Sequence, residues 1–262
     1  MLLAAPALIS ASASVWVADL LAAPIRTAGV VHAGPHAIYL RLGGSVLAVL
    51  GRDAIAVPCG LRTPLASLPT GVLDAQVGDG RCIIGPHEIA VRRIVDAVVP
   101  TLVRPAPDAW PTGLDHLLIP ARSEIPPDAV AALRESDPNA VRSLLGLGSG
   151  LTPTGDDVLA GWLVAAAALG IETAPVAQRV RDLAPSRTNT VSGALLAHAT
   201  AREAIPQVHD LLRALSTHTR RVEALHDLVA VGHTSGAGLA LGIQTALQHP
   251  VAVHHLTARS PS

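Results

Sequence analysis

The sequence predicts an α+β protein. An N-terminal β-rich region, barrel- or sandwich-like, precedes a C-terminal helical domain with glycine-rich helix N-termini. Three observations predict this. Up to about Val99, short apolar runs are punctuated by Gly and Pro, the pattern of many brief strands. From Pro100 to Pro127 the chain is proline-dense and reads as a connection. Beyond it, apolar residues recur at helical spacing. The organisation expected of the 262 residues is therefore a β-rich domain over 1–99, a connection over 100–127 and a helical domain over 128–262.

The N-terminus, through Ala11, Ala13 and Asp19, has small and apolar residues but no positive n-region. It reads as a cytoplasmic leader or a first structural element rather than a signal peptide. Strands are expected at Val30–His36, Ala37–Leu42, Ser45–Leu50, Ala54–Pro58, Cys82–Ile84 and Glu88–Val91, separated by Gly43-Gly44, Gly51-Arg52-Asp53 and Gly85-Pro86. A short strand is expected at Leu117–Ile119 within the proline-rich connection. Helices are expected at Pro127–Glu135, with proline in its first turn, and at Asn139–Leu145. The run Asp156–Leu169 is apolar on all sides, so it should be a central helix with neighbours all round. Ala174–Leu183, Val191–Ala201, Pro206–Leu215, Arg220–Val229 and Gly236–Leu247 complete the set. The longest apolar segment, Val158–Ile171, is too short to span a bilayer, so no membrane partner is expected.

Composition excludes several chemistries. The formal charge of −1 and the lack of a basic run argue against nucleic-acid binding. All 19 basic residues are arginine. Without lysine there is no Schiff-base anchor for pyridoxal phosphate and no standard P-loop, so neither that cofactor nor a nucleotide is expected, nor is haem. An anionic substrate must be held by arginine, histidine, hydroxyls, backbone N–H groups or a metal. Cys59 and Cys82 form no CxxC and read as buried structural thiols.

The most informative stretch is LGLGSGLTPTGDDVLAG, Leu145–Gly161. Its glycines free backbone N–H groups, and the following helix aims its own N–H groups and positive dipole end at the same place, which together suit an anion. Gly148, Ser149, Gly150, Thr152, Thr154 and Gly155 are the candidate binding residues. Asp156 and Asp157 can cap the helix, hold a cation such as Mg²⁺ or manage a proton, and so are both catalytic and metal candidates. Two later segments repeat the form of a polar turn before an apolar helix. One is PSRTNTVSGALLAHA, supplying Arg187, Thr188, Asn189 and Ser192. The other is VGHTSGAGLALG, supplying His233, Thr234 and Ser235. Should the three helix starts converge, they form a donor-rich pocket. His233 is the best acid/base candidate, with Ser235 beside it. His198 reads as a satisfied core residue, and His254 and His255 as solvated. Arg187 and Arg62 are candidates to clamp a carboxylate or phosphate bidentately.

The glycine-loop motif G-L-G-S-G-L-T-P-T-G-D-D-x-L-A-G, with T-N-T-V-S at Thr188–Ser192 and G-H-T-S-G at Gly232–Gly236, resembles the signature of a bacterial family that includes the AllH subunit of oxamate carbamoyltransferase. Ser149 and Thr154 stand where many relatives carry proline and serine. The resemblance implies purine breakdown, in which oxalurate and phosphate give oxamate and carbamoyl phosphate with other subunits taking part. That chemistry needs a small dianion to be bound and charge on a carbamoyl carbon to be stabilised. Two readings stay open: an enzyme or catalytic subunit acting on a small carbamoyl or ureido carboxylate, and a non-catalytic subunit or anion-binding module active only with partners. Partner subunits or a homo-oligomer, and a cytoplasmic location, are the corresponding expectations.

Overall fold

The computed structural model describes residues 7–105 and 109–250. His254 and His255 lie outside the described residues. The β-rich region is a closed barrel of eight strands in the spatial order β1-β5-β4-β3-β2-β6-β7-β8. These are β1 (Ala7–Ala13), β2 (Arg26–Ala33), β3 (Ala37–Leu42), β4 (Ser45–Leu50), β5 (Gly60–Arg62), β6 (Asp74–Gly78), β7 (Arg81–Ile84) and β8 (His87–Ile94). β1 runs parallel to β8 and β4 parallel to β5; the other pairings are antiparallel. Closure leaves no free sheet edge. Between β1 and β2 a helix, α1 (Val15–Ala22), is capped by the Ser14 hydroxyl and buries Val17 and Leu21 with the barrel interior.

The N-terminal stretch is thus the first element of the fold, a barrel strand followed by a helix. The barrel also corrects two strand expectations. Ala54–Pro58 is a turn rather than a strand: the Gly60 N–H returns to the Val57 carbonyl, and pairing resumes only at Gly60. Leu117–Ile119 is helical: a 3-10 turn over Asp115–Leu118 runs into α2 (Ile119–Arg122), with Pro120 in the first turn, where its missing N–H costs nothing.

The other helices are α3 (Pro127–Arg134), α4 (Ala140–Leu144), α5 (Thr154–Ala168), α6 (Ala174–Arg187), α7 (Thr190–Thr200), α8 (Pro206–Thr217), α9 (Arg221–Val229) and α10 (Ser235–Leu247). None of the described helices is long and apolar enough to cross a membrane. α5 is the central helix, buried on nearly every side including Trp162, and its main neighbour is α10. Glycines set that approach. A Cβ on Gly161 would overlap the Leu239 carbonyl, and one on Gly242 would overlap the Val158 carbonyl. Gly242→Ala should therefore push the two backbones apart and destabilise the protein by about 3 kcal/mol or more, read as a lowered denaturant midpoint. An unchanged midpoint would show that the helices can separate freely.

The barrel meets the helices through β4, which is buried on both faces. Leu47 and Val49 fill the barrel. Val46, Ala48 and Leu50, with Tyr39 and Cys59, pack against Val191 of α7. Burial pushes the Cys59 and Cys82 thiols up to about 12, which suits inert core thiols. After the barrel, the chain pairs with the end of α7 through the Val98–Glu203 bridge, and Leu118, Ala121 and Ile125 join the helical core. The proline-rich stretch therefore contributes packed residues as well as a connection.

Candidate functional site

The glycine loop between α4 and α5 is held by Asp156, in the first turn of α5. Its Oδ1 accepts from the Gly146 N–H at 2.7 Å. Its Oδ2 accepts from the Ser192 hydroxyl at 2.6 Å and from the Thr188 hydroxyl. Asp156 is 2 % exposed, so three donors compensate a charge withdrawn from water. Asn189 makes a second tie. Its side chain caps α7 by accepting from the Val191 and Ser192 N–H groups at 3.0 Å, and its amide donates to the Leu151 carbonyl at 3.0 Å.

Gly146, Gly148 and Gly150 have φ of +77°, +104° and +98°, backbone that L side chains rarely adopt. The N–H groups of Ser149, Gly150, Leu151 and Thr152 make no hydrogen bond to any described residue, and the stretch Gly148–Leu151 is exposed. Gly155 plays a different part: buried, it lets the start of α5 close onto the Leu144 carbonyl.

The start of α10 reaches the same place. The Thr152 and Ser235 hydroxyls are 2.8 Å apart, and the Thr154 hydroxyl lies 3.2 Å from that of Thr234. Hydrogen bonds thus bring the starts of α5, α7 and α10 together. Gly238 makes room here, since a Cβ on it would press on the Asp157 Cβ at 2.8 Å.

Asp157 lies behind Thr152 and Ser235 and is 7 % exposed. Desolvation raises its carboxyl well above the ordinary value, and the neighbouring Asp156 charge raises it further. Hydrogen bonding with Ser235 and Thr152 opposes the shift only in part. Its Oδ2 is buried with no hydrogen-bond partner among the described residues, beside a small apolar chamber of about 70 Å³ walled by Val164, Leu195 and Leu239. Burial thus favours the protonated form of Asp157.

The two aspartates do not present what Mg²⁺ takes. All three contacts of Asp156 are to N–H or O–H donors and Asp157 is buried, so in this structure neither turns a free oxygen outward, as Mg²⁺ coordination needs. No group of three or more His, Cys, Asp or Glu able to hold a metal occurs among the described residues.

The remaining candidates divide. His233 is exposed on the loop before α10, and Thr234 and Ser235 are half-buried. Arg187 is near but engaged, donating to the Arg142 carbonyl at 3.1 Å. Arg62 is on the barrel and donates to the Arg52 carbonyl at 2.9 Å, away from the loop. His198 is a buried core residue, paired with Glu203 and edge-on to Trp16 at 4.6 Å. One residue escapes the sequence: Glu124, whose Oε2 accepts from the Thr154 hydroxyl at 2.6 Å and crowds Gly148. It stands alone between α2 and α3, and no local motif signals it.

Residues 144–247 match the model of a family described as oxamate carbamoyltransferase subunit AllH. The matched span runs from the end of α4 through α10 and so contains the loop and all three helix starts. No solved structure matches the chain.

Proposed function

We propose that this chain, matching the AllH model over the helices that build the loop, is a subunit of an oxamate carbamoyltransferase-type enzyme and carries its anion site and its acid. The observation that carries this reading is Asp157, a buried carboxyl, its protonated form favoured by desolvation, directly behind two hydroxyls at an open, donor-rich loop. Carbamoyl transfer needs three things. A small dianion must be bound, for which the free N–H groups of Ser149 to Thr152 serve. Charge must be stabilised as a phosphate oxygen bonds to the carbamoyl carbon of oxalurate. The C–N bond then breaks, and the nitrogen leaving as oxamate takes up a proton. Asp157 supplies it through the Ser235 or Thr152 hydroxyl and regains a proton from the attacking hydrogenphosphate, and phosphate leaves carrying the carbamoyl group. Thr154 and Thr234 flank the path, and Glu124 orients Thr154.

One observation favours completion of this site by another subunit. The outer side of the loop is open, with Leu151 38 % exposed and His233 exposed beside it. On this reading the chain binds the anion alone and turns over only with its partners.

Calorimetry with oxamate, oxalurate and carbamoyl phosphate tests the assignment, using the chain alone and in complex with co-expressed partner subunits. Binding is expected, weakened about tenfold or more in Thr152→Val. Failure of all three compounds to bind in both settings would remove the reading.

A further inference from the structure

A cavity of about 450 Å³ forms a cleft between the barrel and α6–α7, outside the loop. Arg41 of β3 reaches it from the barrel side and Arg181 of α6 from the helical side. No Asp or Glu lines it. The Arg41 guanidinium makes no hydrogen bond or ion pair to any described residue, and that of Arg181 donates only to the neutral amide of Gln178. Some arginines elsewhere are paired with acids, such as Arg81 with Glu88, Arg122 with Asp115 and Arg213 with Asp210. Val180 and Ala194 give the cleft an apolar floor, and the Thr190 hydroxyl lies at its edge.

We infer that this cleft is a second anion-binding site, distinct from the glycine loop, for a small organic dianion whose two acidic groups engage Arg41 and Arg181 and whose stem rests on the apolar floor. Two guanidinium groups without a lining acid repel each other and favour a ligand with two anionic ends, each taken bidentately. The ligand would tie the barrel to the helical region, and Asn189 connects the cleft wall to the loop through its bond to Leu151.

The test uses the full chain and succinate as a dicarboxylate probe, with neutral succinamide as control, read by thermal shift and calorimetry. Succinate should stabilise the wild type and Thr152→Val alike and succinamide neither, while Arg41→Ala and Arg181→Ala each weaken succinate binding tenfold or more. Both arginines are exposed, so these variants fold. Retained succinate binding in both arginine variants, or no binding to the wild type, would overturn the inference. Loss of binding only in Thr152→Val would also overturn it, by placing the dianion at the loop, and would leave the loop assignment standing.

Discussion

Replacing Asp157 by Asn is expected to cut turnover by about a hundredfold while leaving the protein as stable as the wild type or more so. The kinetic loss follows from the acid role, since Asn keeps the shape and has no proton to give, and a positioned general acid contributes about 10²–10⁴ in rate. The stability gain follows from burial. The folded-state carboxyl is raised well above the ordinary value of 3.8, so the folded protein binds this proton more tightly than the unfolded chain does. Stability from that preference is fully present below the unfolded value and is lost as pH rises through the folded one. Asn has no such loss. The variant's melting temperature should exceed the wild type's by a margin that grows as pH rises above the unfolded-chain value of 3.8 toward the raised folded-state value. Calorimetric scans across that range, beside initial rates for the assembled enzyme, read both effects. Near-normal turnover, or a margin that shrinks with rising pH, would remove Asp157 from the acid role.

The same change one position earlier should do the reverse. Asp156 accepts from Gly146, Ser192 and Thr188, and its removal strands three donors in the interior. Asp156→Ala should cost about 3–5 kcal/mol and lower the melting temperature by roughly 10 °C or more. Asp156→Asn keeps the acceptor on one side only and should fall between. Proteolysis of the exposed stretch Gly148–Leu151 should also accelerate in Asp156→Ala, because one of the two ties from α7 to the loop is gone. A melting temperature unchanged in Asp156→Ala would show that the loop is held by Asn189 alone. Adjacent carboxylates of one motif thus divide into the proposed acid and a hydrogen-bonded clasp.

That division was not legible in the sequence, where Asp156 and Asp157 look equivalent and suggest a shared cation. On a helix, neighbouring residues point about 100° apart, so one faces α7 and the loop while the other faces α10 and the interior. What the sequence did carry was periodicity. The all-round apolar run of α5, the starts of α3 and α8 at Pro127 and Pro206, and most helix ends lie within a few residues of expectation. The convergence of GLGSGLTPTGDD, TNTVS and GHTSG also holds, because each motif pairs small residues needed for close approach with hydroxyls that tie the helix starts together. Long-range pairing was lost. Nothing in Ala7–Ala13 announces a partner at His87–Ile94, and β6, though Asp74 and Gln76 alternate with buried Ala75 and Val77, spans only 5 residues and carries too few apolar side chains to stand out. Glu124 was missed for the same reason: its meaning lies in a contact 30 residues away.

The parallel pairing of β1 with β8 has a bearing on how the chain comes to be folded. β1 is made first, yet both of its neighbours, β5 and β8, are made later, the second ending at Ile94. On the ribosome the barrel stays an open sheet until that residue has emerged, with an alternating apolar strand waiting beside unpaired edges. Such sequence-distant closure makes for slow folding, and it places the chain's period of greatest aggregation risk within its first hundred residues, before any of the helices that carry the loop exist.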